Sequence, residues 1–188
     1  MHHPPLQFLH AHATHPQADM AVRLVWAQLA SRGVEAFGPT LGWCYMTDEL
    51  APQAQAVLHA LRQHLPHVAW VGASGVGVLA TGVEYFDEPA LVVMVCNLPR
   101  QEFQIFNGCQ PLKERGASGF VPHSALVHAD SQVPDLPELL QELADRTQSG
   151  YLFGGITVGR RAAVHLAVDP LRPLPEEHTG VWEGGLSG

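Results

Sequence analysis

Positive charge is what this chain has least of. Lysine and arginine together number 10 against 18 aspartates and glutamates, for a formal net charge of −8, and Lys113 is the sole lysine. There is no basic run. Nucleic acid and anionic membrane are therefore not expected partners, since neither offers an acidic surface any counter-charge. Cysteine is also scarce. Cys44, Cys96 and Cys109 are an odd, widely spaced set without a C-x-x-C pair. That excludes a disulfide framework and reads as reduced thiols in the cytoplasm. Cys44 and Cys96 lie in apolar runs, where cysteine behaves as a small hydrophobe. No stretch is apolar for the eighteen or so residues of a membrane span. Met1-His2-His3-Pro4-Pro5 lacks the basic-then-apolar order of a secretory signal.

Catalytic signatures are missing too. Gly72-Ala73-Ser74-Gly75-Val76-Gly77 is the most glycine-rich stretch after a strand-like run, but its order is G-x-x-G-x-G. A dinucleotide fingerprint needs G-x-G-x-x-G and a helix N-terminus to receive the pyrophosphate, whereas Val78-Leu79-Ala80 reads as a strand. A P-loop would need Gly-Lys-Ser/Thr. A serine-hydrolase elbow would need glycine where Val76 stands. His10 and His12 share one strand face, yet no carboxylate or cysteine accompanies them at ligand spacing, so neither a metal nor another cofactor is expected.

What is present is an apolar, globular composition, 46% hydrophobic and 15% charged over 188 residues. That suits a single domain, 1–188, with a large core. Strand-like runs cover 6–12, 41–46, 67–71, 76–80, 84–86, 90–96, 102–106, 124–128, 151–153 and 163–168. Helical periodicity covers 16–31, 52–64 and 136–146. Val22, Val25, Trp26 and Leu29 make one apolar stripe; Ala54, Val57, Leu58 and Leu61 make another; Leu136, Leu139, Leu140 and Leu143 make a third. Gly33 suits a helix C-terminus. Asp135 and Glu138 have capping-box spacing, and Asp48 and Asp130 stand before helices, where aspartate caps. Residues 169–179 read as a proline-rich loop. The last residues, 181–188, read as the start of a strand, which suggests a chain continuing in a longer protein.

The second half echoes the first at an offset of 82: Asp48 and Asp130, Pro52 and Pro134, Leu58 and Leu140, Gly72 and Gly154, Gly77 and Gly159. The expected fold is therefore α/β, with mixed sheets covered by helices. It is built from two halves, 39–107 and 121–188, each a strand, helix, strand, glycine turn and strand.

The glycine stretches are the candidate site. Successive glycines let backbone N–H groups approach a carboxylate or phosphate oxygen. The same glycines also suit a tight strand-to-strand turn. The candidate ligand-binding residues are Gly72, Ser74, Gly75, Gly77, Gly154, Gly155, Thr157 and Arg160, with Arg160 or Arg161 as an anion contact.

The apolar strand into Gly72-Ala73-Ser74-Gly75-Val76-Gly77, with Gly82 and Glu84 behind it, resembles the first signature of the FIST sensory domain. Phe153-Gly154-Gly155-Ile156-Thr157 is similar to that family's later Phe-Gly-Gly turn, and the early strand and helix through Ala21 also fit. The resemblance implies a domain of bacterial signalling proteins that bind small ligands such as amino acids, with a separate C-terminal part following it. The leading expectation is a cytoplasmic, non-catalytic sensor of amino acids or related small carboxylates, with a signalling partner protein or domain. The alternatives are a small-molecule hydrolase or transferase using Ser74, Cys44 or His128, and a protein-interaction scaffold.

Overall fold

The computed structural model describes residues 5–112, 120–160 and 163–188. The chain runs β1 (Phe8–Thr14), α1 (Ala18–Ser31), α2 (Val34–Phe37), β2 (Leu41–Thr47), α3 (Ala54–His64), β3 (Ala69–Gly75), β4 (Gly77–Ala80), β5 (Val83–Phe86) and β6 (Ala90–Cys96). It continues through β7 (Ser124–Asp130), α4 (Leu136–Asp145), β8 (Tyr151–Thr157), β9 (Val164–Val168), β10 (Val181–Glu183) and β11 (Leu186–Ser187). The architecture is mixed α/β. A six-stranded sheet has the order β1-β6-β2-β3-β9-β10, a three-stranded sheet the order β11-β7-β8, and β4 and β5 form a separate hairpin. The β2–β3 and β7–β8 pairs are parallel and the other pairs antiparallel. Among the described residues no helix is long and apolar enough to cross a membrane.

Strand alternation sorts the core into layers. On β2, Cys44 and Met46 turn toward α1 and α3, where they join Val22, Val25, Val57 and Leu58 in the main core. Leu41 and Trp43 turn the other way and pack with Val71, Ala167 and Leu126. Ala125, Val127 and Ala129 of β7 pack with Leu143 of α4. The order through the molecule is thus helices, six-stranded sheet, three-stranded sheet, helix.

The first two helical stripes are buried as their spacing predicts, with Trp26 only partly covered. The third is not. Only Leu143 is buried on α4, while Leu139 remains 36% exposed, because α4 has just three strands to lie on. Gly33 follows α1 with φ of 75°, the left-handed conformation expected of a glycine there. The capping expectations are corrected. Asp135 makes no side-chain cap and itself adopts φ of 54°. Asp48 accepts the Arg160 N–H, and Asp130 accepts the Gln132 N–H in a local turn. The stretch 102–106 is no strand: Phe106 exchanges two backbone hydrogen bonds with Gly188 alone. The final residues form two short strands in different sheets, joined by Gly184 and Gly185 at φ of 73° and 76°.

The largest correction concerns the glycines. Gly72 and Gly75 lie within β3, and Gly154 and Gly155 within β8, so the expected turns are strands. Only Val76 bends, between β3 and β4. Close approach explains two of them. A Cβ on Gly72 would fall on the Cys44 carbonyl oxygen of β2, and one on Gly154 on the Val127 carbonyl oxygen of β7. In each parallel pair a glycine lets the neighbouring strand come closer than a side chain permits. Gly155 is different, with open space around its would-be Cβ. Gly72→Ala is expected to cost roughly 3 kcal/mol, the upper range for forcing atoms into a packed interior, and Gly154→Ala, on an exposed strand but against the Val127 carbonyl, about 1 kcal/mol or more. Gly155→Ala should stay within about 0.5 kcal/mol of the parent. Urea denaturation of the three variants checks this.

Candidate functional site

The two glycine-bearing strands meet across a cleft. The C-terminal end of β3 and the start of β4 form one wall, and β8 the other. The cleft has a volume of about 580 Å³. Ser74, Gly75, Gly77, Gly154, Gly155 and Thr157 all line it, as do the apolar side chains of Val76, Leu79, Ile156 and Val158. Six of the eight residues expected from sequence are therefore brought to one place. Gly72 is not among them; it lies beneath, against Cys44. Arg160 is also outside the lining. Its backbone N–H donates to Asp48 Oδ2 at 2.8 Å, and its guanidinium pairs with Asp87 and, at 3.9 Å, with Glu49. Arg161 lies outside the described residues.

The polar end of the cleft comes from Tyr45, which sequence reasoning did not single out, and from His128, which it named only as a candidate for the enzyme alternative. Tyr45 and His128 both line it, with Tyr45 Oη 2.9 Å from His128 Nε2. Tyr45 belongs to β2 in the six-stranded sheet and His128 to β7 in the three-stranded one, so this bond crosses between sheets. A second crossing joins Thr157 of β8 to His165 of β9, Oγ1 to Nε2, at 2.9 Å. Thr157 donates its only hydroxyl proton to the Ala129 carbonyl at 3.0 Å. The His165 contact must then run the other way, from Nε2–H to the threonine oxygen. His165 is thereby fixed in its Nε2–H tautomer, with a bare Nδ1.

The two imidazoles lie next to one another, ring centroids 6.2 Å apart. His128 is 3% exposed and His165 fully buried. Neither Nδ1 has a hydrogen-bond partner, nor has the buried Ser187 Oγ, which stands opposite His128 in the β7–β11 register. Burial holds both histidines neutral. His128 is pushed down to about 4 by desolvation and, secondarily, by His165. His165 is lowered to about 4 by desolvation, which outweighs the opposing effect of Asp130. Burial, with a smaller contribution from Cys44, pushes Tyr45 up to about 12, so its hydroxyl stays protonated.

The candidate nucleophiles are placed for structure. Ser74 is buried and its Oγ accepts the Val164 N–H at 3.0 Å, tying β3 to β9. Cys44 is fully buried and its thiol is pushed well up by burial, away from the reactive thiolate. A second cavity, of about 690 Å³, lies between the sheets against Trp43, Phe103, Phe106 and Phe153. Its lining also carries Gln101, Glu102, Gln104, His123 and Ser124.

The histidine pair sets a pH dependence. Between about pH 6.5 and 4 the unfolded histidines take up protons while the folded ones stay neutral. Stability is full above pH 6.5 and falls as the pH drops toward 4, by at most about 1.4 kcal/mol per pH unit for each histidine. Urea denaturation at pH 7.5, 6 and 5 checks this. His128→Gln, which retains a partner for Tyr45, is expected to reduce the histidine-linked slope by roughly half.

No curated protein and no solved structure matches the chain. A family model does: that of the FIST N domain, over residues 40–169, more than half of the chain. The match takes in both parallel pairs, both glycine strands and all four residues of the sheet-crossing bonds. The chain belongs to the FIST N domain family, a family of sensory, signal-transduction domains.

Proposed function

We propose that this domain is a cytoplasmic, non-catalytic small-molecule sensor and that the cleft between β3–β4 and β8 is its ligand site. The observation that carries this reading is the position of the cleft. Its walls belong to the different sheets of one molecule, and the hydrogen bonds joining those sheets lie at its polar end. A ligand seated there touches both sheets at once. Its binding free energy differs between arrangements of the sheets, which is the requirement for a ligand to shift an equilibrium. The two parallel pairs, each closed over a glycine, are read as copies of one unit that face each other across the site.

The sequence pointed to amino acids or related small carboxylates, with Arg160 holding the anion. The Arg160 guanidinium is occupied by Asp87 and Glu49, so an ion pair to that residue forms no part of this proposal. Backbone N–H groups and hydroxyls supply the contacts instead.

A second reading rests on β8. It pairs only with β7 among the described residues, and Tyr151, Phe153 and Ile156 are 63%, 48% and 56% exposed. An uncharged, open strand edge of this kind favours pairing with another strand, as a protein-interaction domain would use it. Tyr151→Lys lies outside the cleft. It is expected to abolish strand-mediated association in size-exclusion chromatography while leaving small-molecule binding unchanged.

The primary reading is tested by thermal denaturation against a panel of amino acids and other small polar metabolites. A true ligand raises the midpoint with concentration, with a stabilisation of about 2.7 kcal/mol at one hundred times its Kd. Gly155→Phe, which fills open space in the cleft wall, should leave the unliganded midpoint nearly unchanged and remove the ligand response. A panel in which no compound moves the parent midpoint counts against sensing.

A further inference from the structure

The cleft carries information about the charge of what it binds. Among its described lining residues there is no aspartate, glutamate, lysine or arginine. Its two ionisable lining groups, Tyr45 and His128, are both neutral near pH 7. Of the charged groups nearby, Arg160 is paired with Asp87 and Glu49, and Asp48 is bound to the Arg160 amide. A carboxylate placed there meets no counter-charge among the described lining residues. An uncharged polar group needs none. The walls, with Val76, Leu79, Ile156 and Val158, offer apolar contact.

The polar end resolves further. Tyr45 and His128 can share their hydrogen bond in two ways. If Tyr45 donates to Nε2, the His128 proton sits on Nδ1, which is buried without a partner. If His128 donates from Nε2, Nδ1 is left as a bare acceptor. Buried N–H groups without acceptors are rarer than underused acceptors, so the second arrangement is favoured. It matches the tautomer that Thr157 imposes on His165. It also leaves the Tyr45 hydroxyl proton free, on a half-buried residue that lines the cleft.

We infer, resting on the proposed sensing cleft, that its ligand is an uncharged small molecule with an apolar body and a carbonyl or amide oxygen, and that the Tyr45 hydroxyl donates to that oxygen. His128 acts as a positioning residue: it accepts no proton from Tyr45 and holds the phenol by donating to it. The apolar body lies against Ile156 and Leu79.

Matched probes test the inference. N-acetyl-leucine amide and N-acetyl-leucine share one body and differ by a single charge at neutral pH; N-acetyl-phenylalanine and N-acetyl-alanine pairs vary the body. Each is titrated into the ¹⁵N-labelled protein at pH 7.5, following the amide signals of Gly75, Gly77 and Gly155. The amides are expected to shift those signals with at least about tenfold higher affinity than the acids. Tyr45→Phe should weaken the amides by up to about tenfold, the worth of one hydrogen bond. Nitrogen shifts of the imidazoles should report the Nε2–H tautomer at His128. The inference is overturned if the acids bind these glycines as well as the amides do, or if Tyr45→Phe leaves amide affinity unchanged; the sensing cleft survives either result. If no pair moves these signals, the cleft itself fails as the site, and this inference fails with it.

Discussion

Two hydrogen bonds between sheets, Tyr45 to His128 and His165 to Thr157, are the constraint on which the rest of the site depends. Each has one partner in the six-stranded sheet and one in the three-stranded sheet. Apolar packing of Trp43, Val71, Ala167 and Leu126 holds the two layers together but is non-directional. The polar links add direction. They fix which residues of β2 and β7 face each other, and hence where β8 stands relative to β3. Protonation at either bare Nδ1 would leave an unpaired charge in the interior, so burial keeps both histidines neutral. The three orphaned atoms beside them, both Nδ1 atoms and Ser187 Oγ, mark this as the place where the interior is least completely satisfied. Functional sites are commonly built where such rules are relaxed.

The glycines serve the same geometry from the other side. Gly72 and Gly154 let β3 and β8 lie close over the Cys44 and Val127 carbonyls. Gly42 does similar work on the helix-facing side of β2, where a side chain would collide with the buried Trp70 ring. The remaining glycines of the motif, Gly75, Gly77 and Gly155, line the cleft. Gly72 serves packing alone and Gly155 leaves a wall free of side chains, while Gly77 and Gly154 do both, since a Cβ there would meet the Phe86 ring and the Val127 carbonyl respectively.

Much of this was legible in the chain itself. Periodicity located α1, α3 and most strands, because burial on one face leaves a repeating apolar signature. The acidic balance and the lack of catalytic motifs narrowed the function class. The glycine-rich stretches that supply the cleft's walls were also readable, although the offset of 82 pairs Gly72 with Gly154 and Gly77 with Gly159, and one member of each pair is outside the lining. What failed did so for tertiary reasons. The glycine stretches read as turns, since glycine in a strand interior is ordinarily unfavourable; only the neighbouring strand's approach makes it necessary. The α4 stripe predicted burial that three strands cannot provide. Arg160 stood in the right place along the chain for an anion, but Asp87, from a turn far away in sequence, reaches it first.

The sequence by itself determined the α/β composition, the two apolar helix faces, the two glycine-rich stretches and the membership that residues 40–169 carry. These are local patterns, set by which side chains can leave water. The tertiary structure alone decided that the glycine strands face each other from different sheets. It alone brought Tyr45, His128, Thr157 and His165 together, and left no charged side chain among the described residues lining the cleft. Those residues carry no short motif. Their meeting depends on strand register and layer order, and these emerge only when distant strands pair.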